Sequence, residues 1–157
     1  RRREKALEDE AELLAVLRAG VHVTLALCKD NEPYLVTLNY AFDEAKRCLY
    51  FHCATAGKKL EYWAANPTVW GQVMEDRGYL TGQCSYAYRT VQFRGRVELL
   101  TEREAKREAL RVMIERLEPD PDPVKQRFIE NKPLDKVIVG CVYIEQMSGK
   151  VSPPPKK

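Results

Sequence analysis

The fold is decided in residues 49–73, which read LYFHCATAGKKLEYWAANPTVWGQV. The apolar run at 49–53 predicts a strand, and from Leu60 the apolar residues recur at the i, i+3, i+4 spacing of one helix face. The helix is predicted to begin at Gly57 and to stop before Pro67, because proline cannot continue a helix. A strand, a turn and a short helix therefore follow one another here.

Two lysines, Lys58 and Lys59, fall in the first turn of this helix. Cations are unfavourable there, because the first turn has N–H groups without partners and carries a partial positive charge. A bound anion would reverse the penalty, and Gly57 would let it approach the backbone closely. The spacing therefore predicts a phosphate site, with a solvated surface turn as the alternative.

The bulk properties indicate one domain over residues 1–157, with flexible tails at 1–5 and 150–157. The net charge is +3, but five cations lie at the two ends of the chain, so its body is close to neutral; they are Arg1, Arg2, Arg3, Lys156 and Lys157. Nucleic acid is therefore not an expected partner. No apolar run is long enough to span a bilayer, so no membrane is expected either.

The five cysteines are an odd number without a Cys-x-x-Cys pair, which is typical of reduced thiols in a cytoplasmic protein. No nucleophilic triad, P-loop or paired-carboxylate site is apparent. Cys48 and Cys53 flank His52, but neighbouring strand residues point to opposite faces, so no metal site is predicted.

Working outward from the central stretch, period-2 patterns and turn residues predict six strands. The predicted strands are 21–28, 34–42, 48–53, 68–75, 86–100 and 137–147. The predicted helices are 4–19, 57–66, 101–117 and a short one at 124–131, with loops at 76–85 and 118–123. A capping box, Thr101 with Glu104, is expected to open the third helix.

Short connections between the strands favour antiparallel pairing. The predicted fold is mainly β: a six-stranded antiparallel split β-barrel with peripheral α-helices. An open two-layer α+β sandwich is the alternative.

Four segments resemble the FMN-binding split β-barrel proteins related to pyridoxamine 5′-phosphate oxidase, especially the branch that contains the nitroimidazole-resistance proteins. They are PYLVTLNY (33–40), LYFH with GKKL (49–60), NPTV (66–69) and SYAYRTVQFRGRVE (85–98). Each motif alone is weak, but their order is shared along roughly residues 10–147.

The resemblance implies a homodimer that holds FMN at the subunit interface. It assigns the flavin phosphate to Lys58 and Lys59, in agreement with the charge argument, and the flavin ring and ribityl chain to the segment 37–40. The cofactor-binding residues that it implies are Thr37, Leu38, Asn39, Tyr40, His52, Gly57, Lys58, Lys59, Arg89, Thr90 and Gln92.

His52 ends its strand beside the phosphate turn, and in the nitroimidazole-resistance branch the corresponding histidine lies in the active site. The resemblance thus makes His52 the candidate catalytic residue, as a proton donor. A structural hydrogen-bonding role is the alternative. His22, in an apolar strand, is expected to be structural, although haem as an alternative ligand could use it.

The expected function is an FMN-dependent oxidoreductase that reduces a small organic substrate, with nitroaromatic compounds among the candidates. Electrons would come from NAD(P)H or a reduced protein. The alternative is a flavin- or haem-binding carrier or sensor without turnover.

Overall fold

The computed structural model describes residues 3–131 and 133–152. These residues form one antiparallel sheet of eight strands with helices at its periphery. The strands are β1 (Ala6–Leu7), β2 (His22–Lys29), β3 (Glu32–Asn39), β4 (Ala41–Asp43), β5 (Cys48–Cys53), β6 (Thr68–Leu80), β7 (Ser85–Leu99) and β8 (Ile138–Ser152). The helices are α1 (Glu10–Ala19), α2 (Lys58–Ala65), α3 (Arg103–Leu117) and α4 (Pro121–Lys125). The shorter helical turns are a π-helical turn (Gln126–Glu130) and two 3-10 turns (Arg3–Lys5 and Leu134–Lys136).

The two edge strands of the sheet are consecutive in the chain. The strand order is β3-β2-β6-β7-β8-β5-β4, with β1 added beside β8. Only Tyr40 separates β3 from β4, so the sheet must curve round until its two edges meet at one residue. Hydrogen bonds between strands do not close the ring. The predicted mainly β, split-barrel class is confirmed.

The prediction of six strands is corrected to eight. Tyr40 divides the predicted strand 34–42 into β3 and β4, because its amide donates to the carbonyl of Val21 at 3.1 Å instead of entering a ladder. The two-residue β1 adds the other strand, where the helix 4–19 was predicted to begin.

Tyr40 is the buried joint of the sheet. Its side chain has no exposed surface, and its hydroxyl donates to the carbonyl of Leu17, in α1, at 2.7 Å. Burial raises the pKa of the phenol. A Cβ on Gly20 would lie 2.5 Å from that hydroxyl, so glycine is needed where α1 leads into β2. The joint thus ties α1 to both edges of the sheet.

Two apolar clusters lie on opposite faces of β5. Leu49, Phe51 and Cys53 point into the barrel, while Cys48 and Tyr50 pack beneath α3. A strand that is buried on both faces needs a continuous apolar sequence, which is why the run at 48–51 is unbroken.

Three further boundaries differ from the predictions. The predicted loop 76–85 forms the arms of the β6–β7 hairpin, with a register shift between Asp76 and Tyr79. The helix α3 begins at Arg103 behind Glu102, without the predicted capping bond from Thr101. The prolines of the predicted loop 118–123 open α4, since Pro121 occupies a first-turn position where no N–H is needed.

The last strand continues through residues 150–152, where a flexible tail was predicted, and Lys5 donates to the hydroxyl of Ser152 at 3.3 Å. The remaining predicted tail residues, 1–2 and 153–157, lie outside the described residues. All five cysteines are free thiols. In the described part of the chain, no helix is long and apolar enough to cross a membrane.

Replacing Tyr40 with phenylalanine tests the joint. The ring would still fill the core, but the carbonyl of Leu17 would lose its donor, so we expect the free energy of unfolding to fall by about 1–3 kcal/mol. Urea denaturation followed by circular dichroism measures the change. The matched Tyr79→Phe change, on an exposed ring, should cost less than about 0.5 kcal/mol. Equal losses in the two variants would contradict the role of the joint.

Candidate functional site

The start of α2 is open and uncapped. Gly57 has φ +143° and supplies no side chain to cap the helix. A Cβ built on Gly57 would have no atom within 4 Å, so the space beside the backbone is free. The amide of Leu60 donates to the carbonyl of Gly57 at 3.0 Å, whereas those of Lys58 and Lys59 have no acceptor among the described residues. Free amides at a helix start are the groups that bind an anion.

Lys58 is held in a small cage of this chain. Its ammonium lies 3.3 Å from a carboxylate oxygen of Glu32, 4.9 Å from the ring centre of Tyr34 and 5.3 Å from that of Tyr62. The two rings lie 5.2 Å apart. Hydrogen bonds from Lys58 and Tyr62 lower the pKa of Glu32, and the bond to Glu32 raises the pKa of Lys58. The ammonium of Lys58 already has a carboxylate partner.

Lys59 is differently placed. Its side chain is half-buried and forms no ion pair within residues 3–131 and 133–152. Burial raises the pKa of the neighbouring Cys53 thiol, and the charge of Lys59 opposes that rise. The unpaired cation at the turn is therefore Lys59, close to the end of β5.

His52 faces an apolar cleft of about 730 Å³ on the side of β5 that lies beneath α3. The walls come from the C-terminal half of α3, from Val124 and Phe128, and from residues 133–137. Besides His52, the ionisable residues of the lining are Glu118 and Lys136. A cleft of this size with few polar groups suits a small, mostly apolar molecule.

Several predicted residues share the outer face of the sheet. Directly opposed residues form one row across five strands: Thr37, Thr24, Gln72, Gln92 and Ser148. Within the row the hydroxyls of Thr24 and Thr37 lie 3.1 Å apart, and Gln92 donates to Gln72 at 3.0 Å. Four of the five side chains are thus tied in two pairs, and the row presents a polar stripe.

Asn39 and Thr90 extend this face by one step along their strands. Asn39 is exposed opposite His22, and Thr90 lies opposite Met74. The hydroxyl of Thr90 donates to the carbonyl of Val73 at 3.0 Å. Both residues are near enough to the polar row to belong to one surface.

Three predicted residues lie elsewhere. Leu38 packs against the barrel core, and Tyr40 is the buried joint. Arg89 forms an ion pair of 2.7 Å with Glu75, which also binds Arg77 at 2.8 Å. Burial alone would raise the pKa of Glu75, but the bonds from the two arginines lower it. The structure therefore brings the set together in three places, the α2 start, the His52 cleft and the outer face, and leaves these three residues outside them.

The cage around Lys58 was not predicted. One signal was available, because Tyr62 follows Lys58 at the i, i+4 spacing of neighbours on a helix. Glu32 and Tyr34 come from the distant β2–β3 hairpin, and no local pattern links them to Lys58.

Comparison with known proteins gives a consistent result. The family model described as pyridoxamine 5′-phosphate oxidase matches residues 9–151. A proposed 5-nitroimidazole antibiotic resistance protein from Bacteroides thetaiotaomicron has a similar structure, with 25% identity, a TM-score of 0.72 and coverage of 93% of this chain and 86% of that one. No curated protein sequence matches.

Two further solved structures are similar. A FAD-binding protein from Mesorhizobium loti shows 29% identity and a TM-score of 0.70, over 94% of this chain and 97% of that chain. The FAD and haem binding protein from Mycobacterium smegmatis shows 19% identity and a TM-score of 0.73, over 98% and 77%. At that identity the second likeness supports the fold alone.

Proposed function

This chain belongs to the pyridoxamine 5′-phosphate oxidase family, and from that premise we propose that it is an FMN-dependent oxidoreductase that reduces a small organic substrate. The observation that carries the proposal is the pairing of an open, uncapped helix start at Gly57 with an unpaired cation at Lys59. These groups fit the phosphate of FMN. The likeness to the Bacteroides protein supports nitroaromatic compounds as the substrate class to test first.

Lys59 and the first amides of α2 would hold the phosphate group, and Lys58 would stay with Glu32. The polar row on the outer face, from Thr37 to Gln92, offers hydroxyls and amides for the ribityl chain and the polar edge of the ring. When bound, FMN supplies the redox chemistry.

His52 brings an imidazole to the cleft lining, the side chain that most often serves as a general acid or base in enzymes. We assign it the donation of a proton from its imidazole to the substrate as the substrate is reduced. The apolar walls around it would exclude water and favour flat, uncharged substrates. NAD(P)H is the electron donor to test first, with a reduced protein as the alternative.

An absorption spectrum of the purified protein tests this function. We expect a yellow protein with flavin bands that NAD(P)H bleaches without oxygen and that a nitroaromatic compound restores. A Soret band in place of flavin bands would overturn the FMN assignment. Flavin bands that no donor bleaches would favour a carrier or sensor, and a protein that takes up neither cofactor would overturn both.

The His52→Gln variant refines the same experiment. The variant should keep its flavin bands. After reduction, a nitroaromatic compound should restore these bands at least about a hundredfold more slowly than in the native protein, because a positioned general acid typically contributes that much to the rate. An unchanged rate would make His52 a structural residue.

The phosphate assignment predicts different losses from the two lysines. Lys59→Ala should weaken FMN binding about tenfold or more and leave riboflavin binding almost unchanged, since only FMN carries the phosphate. Lys58→Ala is the matched control, with a smaller loss because its charge is already paired with Glu32. Fluorescence titration measures both affinities.

Two results would contradict the assignment. Equal losses for FMN and riboflavin would mean that Lys59 acts on the fold. A larger loss from Lys58→Ala would place the phosphate at the caged lysine instead.

We also propose that two copies pair through the outer face of the sheet. Leu35, Ala26 and Trp70 are directly opposed on neighbouring strands, and Leu35 and Trp70 are 65% and 54% exposed. Met74, on the same face, is 57% exposed. An exposed apolar patch of this kind is typical of an interface, and a second copy would cover it with the same patch. The polar row of Thr37 and Gln92 borders it, so the cofactor would lie between the copies.

Light scattering on the eluting protein tests the pairing. We expect the mass of two chains for the native protein and of one chain for Trp70→Glu, since a charge would replace an apolar ring in the patch that the second copy covers. The control Gln126→Glu adds the same charge on an exposed residue beyond α4 and should leave the mass unchanged. A native protein with the mass of one chain would contradict the proposal.

A further inference from the structure

A second cleft lies between α2 and the end of β7. It has a volume of about 360 Å³, and Leu60, Trp63 and Ala64 of α2 form one of its walls. Arg96 and Glu98 of β7 and Tyr143 of β8 lie across from them. Neither the phosphate turn nor His52 lines this cleft. It is large enough for a small metabolite.

Trp63, which lines this cleft and packs against Phe51 on its other side, carries an unsatisfied donor. Its side chain is only 4% exposed, and its indole N–H is buried without an acceptor among the described residues. Such groups are rare in folded proteins, because burying a donor without a partner costs free energy. An acceptor on a bound molecule would satisfy it.

The charges of the cleft are also unpaired. Arg96 and Glu98 are two residues apart on one face of β7, and neither forms an ion pair within residues 3–131 and 133–152. Arg94, the preceding residue on that face, is instead paired with Glu145. A cation and an anion that line one cleft without meeting each other can each bind the opposite charge of a ligand.

The rest of the lining is apolar. Leu60, Ala64 and Val97 form part of it, and Leu99 and Tyr143 are 37% and 38% exposed. Apolar side chains that are left partly in water would be covered by an apolar group of the ligand.

We propose that this cleft binds a free α-amino acid with an apolar side chain. The carboxylate would accept from Arg96 and from the indole N–H of Trp63, the ammonium would donate to Glu98, and the side chain would cover Leu99 and Tyr143. A simple carboxylate fits less well, because it would lie close to Glu98 without a compensating cation. The site is independent of the proposed flavin chemistry.

The test uses the full chain, labelled with ¹⁵N, and three probes: L-phenylalanine, 3-phenylpropionate and 2-phenylethylamine. The protein has two tryptophans, so its spectrum has two indole N–H signals, and the exposed Trp70 serves as the internal reference. We expect L-phenylalanine to shift the Trp63 signal saturably and to leave that of Trp70 in place. The probes that lack one charge should bind about tenfold more weakly.

Variants separate the two charges. Arg96→Gln should weaken binding of L-phenylalanine about tenfold, and Glu98→Gln should do the same. The probe that carries only the other charge should bind more tightly in each variant, 2-phenylethylamine to Arg96→Gln and 3-phenylpropionate to Glu98→Gln, because a like charge has been removed from its neighbourhood. Arg94→Gln, on the same strand face but outside the cleft, is the matched control and should change nothing.

Three results would overturn the proposal. The first is a Trp63 signal that does not move at L-phenylalanine concentrations up to about 10 mM, because the affinity would then be too weak for a ligand site. The second is equal behaviour of Arg96→Gln and Arg94→Gln. The third is a Trp63 signal that only FMN moves, which would make the cleft part of a flavin site.

Discussion

The structure depends on the way in which the sheet meets itself at Tyr40. An open sheet of this length would leave two edges with unpaired amides and carbonyls. Here the edges β3 and β4 are consecutive pieces of one chain, so the ring is completed by a covalent link rather than by a ladder. The buried hydroxyl of Tyr40 then fixes α1 across the joint through the carbonyl of Leu17. The curvature that results gives the sheet an inside and an outside.

The position of each chemical group follows from this inside and outside. Alternation along β5 sends Phe51 into the barrel and His52 to the cleft beneath α3. Alternation along β3 sends Leu38 inward and Thr37 outward. Chemistry that must meet a ligand lies on the outer face or at the strand ends, because the interior is filled with apolar side chains. The helix α2, which follows directly after β5, brings its uncapped start to the same end of that strand.

Period-2 alternation and turn residues were enough to predict the fold class, because both are local properties that the strands preserve. Local patterns failed where tertiary contacts outweigh them. Thr101 and Glu104 have the spacing of a capping box, yet α3 begins behind Glu102, whereas Asp9 caps α1 by accepting from the amide of Ala11. A cap is worth only about 1 kcal/mol, so the packing of the helix can override it.

The glycines of the segment 76–85 also led to a wrong prediction, that of a loop. They indicate a loop, but Gly78 and Gly82 have φ values of +92° and +79°, which serve the irregular pairing and the turn of a hairpin. The candidate site was harder still to predict. The two lysines of the α2 start are adjacent in sequence, and the residue that separates their roles, Glu32, lies in a distant hairpin. Only the folded chain brings it there.

The helix start and the family membership bear on the ligand independently. An uncapped helix start and a Lys59 without an ion pair among the described residues favour an anion, whatever the anion is. Family membership is the reason why we propose a flavin phosphate as that anion. The cage of Glu32, Tyr34 and Tyr62 strengthens the case for an anion, because it accounts for one of two cations that would otherwise repel each other beside the helix start. Because Lys58 is paired with Glu32 at the surface, Lys59 is the cation at the turn that is left for the proposed ligand.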